Sequence, residues 1–259
     1  MSNYLRMDDW SLAFDDSEGS GPALLLCHAL GADRTMWDRQ VEELAPLRRV
    51  IRYDHRGHGQ SDAPPGPYTV ADLGGDVITL ADVLELDVFD FCGISMGGMV
   101  GMWLASSHPD RVRSLVLANT APRIGTGEYW NERIARIEEG GIDSIGDVIV
   151  ERFFSPQWRE THGEETKRSR EILGGVDPEG YVGCCAALRD ADLSDSVSSI
   201  RAHTMVLAGL HDVSTPPEAL EELAATIPGS DHVVLDAGHF SNVEAPEEFN
   251  TALSRHLPD

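Results

Sequence analysis

Lysine is almost missing from this chain. Lys167 is the only one, so nearly all of its 20 basic residues are arginines, and they face 44 aspartates and glutamates for a net charge of −24 over 259 residues. Phosphate backbones and anionic membrane surfaces are held by clustered cations, so this balance argues against nucleic acid or membrane as a partner. Two origins of the acidity stay open. One is an acidic enzyme encoded by a GC-rich genome; the other is a salt-adapted host, where ionic strength screens the self-repulsion of such a surface.

Cysteine is also scarce. Cys27, Cys92, Cys184 and Cys185 form no C-x-x-C pair and no zinc spacing, and two of them lie in apolar runs, so they are expected as reduced packing residues. No apolar run approaches the length of a membrane span, and the polar start lacks the basic and apolar regions of a signal peptide, which points to a cytoplasmic location. No H-E-x-x-H occurs, so metal-assisted hydrolysis has little support and no metal is expected. Internal repeats, low-complexity tracts and interdomain linkers are absent as well.

What the chain does have is rhythm. Short apolar runs at 23–27, 50–53, 88–92, 115–118, 204–208 and 232–235 alternate with longer helix-like segments, the pattern of a parallel sheet covered by helices. Leu5 and residues 10–14 are expected as an antiparallel hairpin at one edge. Between Ala121 and about Arg189 the rhythm gives way to helical segments rich in aromatic residues. The expected organisation is therefore an α/β core formed by residues 1–121 and 190–259, with a helical cap, 122–189, inserted after the sixth strand.

Gly93-Ile94-Ser95-Met96-Gly97 follows directly on the apolar run Val88-Phe89-Asp90-Phe91-Cys92 and opens a helix-like stretch. This is G-x-S-x-G in the strand–turn–helix setting that a nucleophile elbow requires, and it suggests the α/β-hydrolase fold. Small residues two before and two after the serine permit the sharp turn, and the helix N-terminus favours developing negative charge. The alternative is a glycine-rich turn with a structural serine.

A serine needs a base, and the base needs a partner. In this fold they follow the nucleophile in the order acid, histidine, each on a loop after a later strand. Asp212 follows the run 204–208, and His239 follows the run 232–235, so Ser95, Asp212 and His239 form the candidate triad. Asp236 stands too close to its strand and to His239. The end of the strand after the elbow carries Asn119, which cannot supply the charge. His55 and His58 lie in a turn and are expected to be structural, whereas His211, His232 and His256 are expected at the surface. For the oxyanion, the donors expected are the backbone N–H groups of Met96 and of Leu30. The latter lies in His28-Ala29-Leu30-Gly31, which is similar to the H-G-x-x-G loop of many α/β-hydrolases.

Further stretches narrow the likeness. Residues 52–59, 64–74, 92–101 and 115–121, together with Arg123-Ile124-Gly125-Thr126 and Asp177-Pro178-Glu179-Gly180-Tyr181-Val182-Gly183-Cys184-Cys185-Ala186-Ala187-Leu188-Arg189-Asp190, give a chain that resembles the 3-oxoadipate enol-lactonases over nearly its whole length. That resemblance implies cofactor-free opening of an enol-lactone to 3-oxoadipate in aromatic catabolism. Its small-molecule substrate carries a carboxylate, and Arg123 or Arg133, near Trp130, would suit it through bidentate bonding. Trp37 and Trp130 are expected as pocket walls, although aromatic residues in a cap often form only its own core. An aryl esterase, a carbon–carbon bond hydrolase of ring-cleavage products or a perhydrolase would use the same triad. A ligand receptor that retains the triad is the alternative from another class. The oligomeric state is left open, homo-oligomers included.

Overall fold

The computed structural model describes residues 3–258. The chain opens with a hairpin, β1 (Asn3–Arg6) and β2 (Ser11–Asp16), and continues through β3 (Ala23–Cys27), α1 (Asp38–Leu44), β4 (Arg49–Tyr53), α2 (Val70–Val83), β5 (Phe89–Ile94), α3 (Met96–Ser107) and β6 (Val112–Ala118). Five helices follow with no strand among them: α4 (Gly127–Gly140), α5 (Gly146–Glu151), α6 (Pro156–Thr161), α7 (Gly163–Gly174) and α8 (Pro178–Asp190). The chain ends with β7 (His203–Gly209), α9 (Pro217–Thr226), β8 (Asp231–Leu235), α10 (Ser241–Glu244) and α11 (Pro246–His256).

All eight strands form one sheet in the order β1-β2-β4-β3-β5-β6-β7-β8. The pairs β1–β2 and β2–β4 are antiparallel, and every other pair is parallel. Every residue of β3 and β5 is buried. Side chains alternate between faces along a strand, so this burial means that helices cover the sheet on both sides. The apolar runs of β3 and β5 were thus legible because these strands have no wet face, whereas β8, at the sheet edge, is mostly exposed. The hairpin forms at the sheet edge, as expected.

Helix boundaries follow local chemistry. Thr69 caps α2 with a reciprocal capping box to Asp72, and Ser155 and Asp177 cap α6 and α8, each followed by proline at the first turn. All four cysteines are free and buried, as packing residues should be.

The helical stretch between β6 and β7 meets the segment between β4 and α2 through α8. The backbones of Gly57 and Gly180 approach so closely that a Cβ on Gly180 would lie 2.4 Å from Gly57 Cα. Asp177 N–H donates to Gly57 O at 3.0 Å, and Tyr68 N–H donates to Gly183 O at 3.3 Å. A methyl group at 180 has nowhere to go, since what it meets is backbone. Gly180→Ala should cost about 1–3 kcal/mol through overpacking, which for a chain of this size lowers the melting temperature by several degrees; a melting curve that matches wild type would contradict the contact.

Candidate active site

Strand β5 delivers Ser95 into a turn where its own backbone is left-handed, with φ 57° and ψ −115°. Such a conformation is costly for a residue with a side chain and persists only when its surroundings impose it. Ser95 N–H donates to Ala118 O at 3.0 Å, and Thr120 Oγ1 donates to Ser95 O at 2.7 Å. The two flanking glycines are sterically required. A Cβ at Gly93 would stand 2.1 Å from Gly97 O, and one at Gly97 would stand 2.3 Å from Cys27 O.

Asp212 and His239 meet at the carboxyl ends of β7 and β8. His239 Nδ1 lies 2.7 Å from Asp212 Oδ2. A carboxylate oxygen can only accept here, so Nδ1 carries the proton and Nε2 keeps its lone pair. Asp212 is buried yet richly served: Ser214 and Thr215 N–H groups donate to Oδ1, while Thr215 Oγ1 and Asn119 Nδ2 join His239 on Oδ2. Burial pushes this carboxyl up, but the neighbouring His239 ring and these donors outweigh it and hold the pKa down to about 2. Asp236 instead pairs with His211 on the surface, at 2.7 Å.

Two partners of this pair went unread in the sequence. Asn119 donates to Asp212 at 3.0 Å and to Gly238 O at 3.2 Å, and its Oδ1 accepts from Ser241 Oγ at 2.5 Å. Glu244 holds the histidine loop by accepting from Gly238 N–H at 2.9 Å and from Ser155 N–H at 3.0 Å. Asn119 was visible as the residue ending the strand after the elbow; Glu244 had no such signal.

Ser95 and His239 line one cavity of about 350 Å³, with Leu30, Trp130, Arg133, Arg152 and Phe153 among its walls. No hydrogen bond joins the Ser95 hydroxyl to His239 among the described residues, a looseness common before substrate binds. The N–H groups of Leu30 and Met96 likewise donate to no acceptor among the described residues. Gly31, and not Ala29, takes the left-handed backbone of that loop, with φ 79°. A separate cavity of about 360 Å³ lies beyond Phe153 and reaches neither Ser95 nor His239.

Arg133 lines the same cavity, with its guanidinium 4.7 Å from the Tyr129 ring centroid and 4.9 Å from that of Trp130. It donates to Tyr181 Oη at 3.3 Å and also to Tyr129 Oη, and no carboxylate pairs with it among the described residues. Arg152, which the sequence reading passed over, donates to Val213 O at 3.0 Å and to Ser214 Oγ at 3.3 Å.

Three expectations are corrected. Arg123 is exposed and pairs with Asp192 at 3.5 Å, outside the cavity. Trp37 is fully buried and packs on Phe249 of α11, because the loop after β3 turns it into the core. His256 is buried rather than at the surface, since α11 presents Phe249, Leu253 and His256 on its inner face.

His55 and His58 are structural, and with His28 they form a buried cluster beneath the Leu30 loop. His28 Nε2 accepts from His55 N–H at 2.9 Å while its Nδ1–H donates to Ala29 O at 2.7 Å; His58 Nε2 accepts from Gly31 N–H at 3.1 Å. The lone pairs that His28 and His58 offer to these N–H groups exist only on neutral rings.

Comparison with known proteins places this architecture. Residues 22–141 match the model of the alpha/beta hydrolase fold. The chain is 39% identical to 3-oxoadipate enol-lactonase 2 of Acinetobacter baylyi over 232 residues, 90% of this chain and 87% of that one. The chain belongs to the 3-oxoadipate enol-lactonase family of α/β-hydrolases. It is a hydrolase. An enol-lactonase from Burkholderia xenovorans LB400 superposes with a TM-score of 0.96 at 36% identity, covering 99% of this chain and all of that one. A thermophilic esterase from Thermogutta terrifontis, solved with malate bound, gives 0.92 at 31% identity over 98% and 97% of the two chains. Relatives that are esterases show that this enol-lactonase architecture also serves other ester chemistry.

Burial lowers the pKa of His28 to about 4 and of His58 to about 3, and drives that of His55 well below its ordinary value. An unfolded chain takes up these protons near pH 6.5, whereas the folded one refuses them. The stability that depends on neutral rings is therefore complete above pH 6.5 and falls as pH drops toward 4, by about 1.4 kcal/mol per pH unit for each ring. Urea midpoints measured from pH 7 to 5 should fall steeply, and His58→Asn should flatten that fall; a flat wild-type profile would contradict the neutral cluster.

Proposed function

We propose that this enzyme opens 3-oxoadipate enol-lactone to 3-oxoadipate by serine catalysis, in the cytoplasm, with residues 122–189 acting as a cap over a core of 1–121 and 190–259. One observation carries the substrate assignment: the cavity that holds Ser95 and His239 also presents Arg133, a guanidinium braced on aromatic rings and lacking a carboxylate partner. In a chain of net charge −24, an arginine left unpaired in a catalytic cavity suits an anionic substrate. The family membership supports the lactone, and the malate held by the related esterase supports a site tolerant of carboxylates.

In this reading Ser95 Oγ attacks the lactone carbonyl while His239 Nε2 takes its proton, and Asp212 stabilises the imidazolium that forms. The Leu30 and Met96 N–H groups, free of protein acceptors, hold the oxyanion. When the intermediate collapses, the ring C–O bond breaks and its oxygen leaves as an enol, protonated by His239. An enol is a good leaving group because its charge delocalises, and its conversion to a ketone draws the reaction forward. Water then attacks the acyl-enzyme, giving its proton to His239, and the acid departs as Ser95 Oγ regains a proton. Asn119 and Thr215 keep Asp212 ionised throughout.

The ring opening is followed through the ultraviolet absorbance of lactone generated in situ. Ser95→Ala should lower kcat by about 10⁶-fold, and turnover on the wild-type scale would overturn the serine mechanism. Arg133→Ala should raise KM for the lactone about 10- to 100-fold, the worth of a charge-assisted hydrogen bond, while leaving KM for a neutral ester unchanged; equal effects on both substrates would reject the carboxylate clamp.

A further inference from the structure

The strands that carry Asp212 and His239 at their carboxyl ends bring together a second group of side chains at their amino ends. His203 begins β7, Asp231 begins β8, and His256 ends α11. One ligand atom from each lies within 4.8 Å of the others. Asp231 Oδ2 is 3.7 Å from His256 Nδ1 and 3.9 Å from His203 Nε2, and the two imidazole rings stand 4.1 Å apart.

The protonation of His256 is fixed by its surroundings. Its Nε2 lies 3.1 Å from His203 O, and a carbonyl oxygen can only accept, so Nε2 carries the proton. Nδ1 is then left with a lone pair. It is buried, has no hydrogen-bond partner among the described residues, and confronts the acceptor oxygens of Asp231. Two acceptors facing each other across such a gap offer their lone pairs to a cation between them. A histidine that donates one ring N–H to a backbone carbonyl and offers the other nitrogen as a lone pair is also the form in which imidazole ligates a metal.

We propose that His203, Asp231 and His256 form a binding site for a divalent transition-metal ion, of which Zn²⁺ is the representative. Two imidazole nitrogens and one carboxylate oxygen suit Zn²⁺, Ni²⁺ or Cu²⁺, while Mg²⁺ and Ca²⁺ prefer all-oxygen sets. Tetrahedral zinc places its ligand atoms about 3.3 Å apart. Reaching that from the observed spacing takes a closure of roughly 0.5–1.5 Å, which the exposed side chains of His203 and Asp231 can supply by rotation while buried His256 stays in place. Glu247 and Glu248, on the rim of the same concavity, add negative potential for a cation, and Arg255 opposes it in part. A water would complete the coordination from the open side. The ion would clasp two strands and the last helix at the end of the sheet remote from Ser95, so its effect is on stability, not chemistry.

The test uses chelator-stripped full-length protein titrated with Zn²⁺ alone by calorimetry, and with Co²⁺ alone by visible absorption. Wild type should take up one ion per chain, show Co²⁺ ligand-field bands and melt at a higher temperature with the metal. His203→Gln and Asp231→Asn, both at exposed positions, should each weaken binding by at least about tenfold while keeping the metal-free melting temperature and ester hydrolysis of wild type. Binding no tighter than about millimolar would overturn the site, as would equal affinity in wild type and both variants, which would place the ion elsewhere.

Discussion

A side chain on Gly97 would put a carbon 2.3 Å from the Cys27 carbonyl oxygen, so α3 lies against β3 only because that carbon is missing. The same bareness at Gly93 lets the chain reverse between β5 and α3. With both flanks pinned, Ser95 has no room to relax from its left-handed backbone, and its hydroxyl stands at the helix N-terminus with the Met96 N–H beside it. The β5–β6 register then ties the turn to Ala118, and the residue after it, Asn119, reaches Asp212. Ser95 and Asp212 are thus connected through one strand end, and the geometry of each depends on the tightness of a single bend.

Burial acts oppositely on the two kinds of ionisable group around this bend. The His28, His55 and His58 rings lose water and gain no carboxylate at bonding distance, so they stay neutral, and those of His28 and His58 use their lone pairs on backbone N–H groups. Asp212 loses water too, yet five donors replace it, and the charged form wins. Desolvation is common to both, and the hydrogen-bond inventory decides the sign of the result. The histidine cluster then shapes the loop whose Leu30 N–H is offered to the cavity, while the ionised aspartate fixes the His239 tautomer.

Much of this was legible from the chain. The buried parallel strands β5 and β7 read as unbroken apolar runs before Ser95 and Asp212, and His239 follows β8, an apolar run that the structure leaves mostly exposed at the sheet edge. The hairpin at the edge and the helical stretch after the sixth strand were visible as changes of period. What escaped was side-chain direction. Trp37 lies near the site in sequence, yet a short helical turn after β3 points it at Phe249, and nothing in its neighbours distinguishes core from cavity. Arg123 and Arg133 look alike in composition; only the position of α4 leaves one in solvent and stacks the other on Tyr129 and Trp130. His256 was readable, because Phe249, Leu253 and His256 fall at the i, i+4, i+7 spacing of a buried stripe. Asn119 was considered solely as a failed acid, when an amide at a strand end can serve the acid on the next.

The order of the groups along the chain has a consequence for biosynthesis. Ser95 precedes Asp212 and His239 in the chain, and the strands that carry those two, β7 and β8, form one margin of the sheet. A chain cut before β7 would therefore keep the residues of the elbow and lack both Asp212 and His239. Under the proposed serine mechanism such a chain would carry a quiet hydroxyl and no stray esterase.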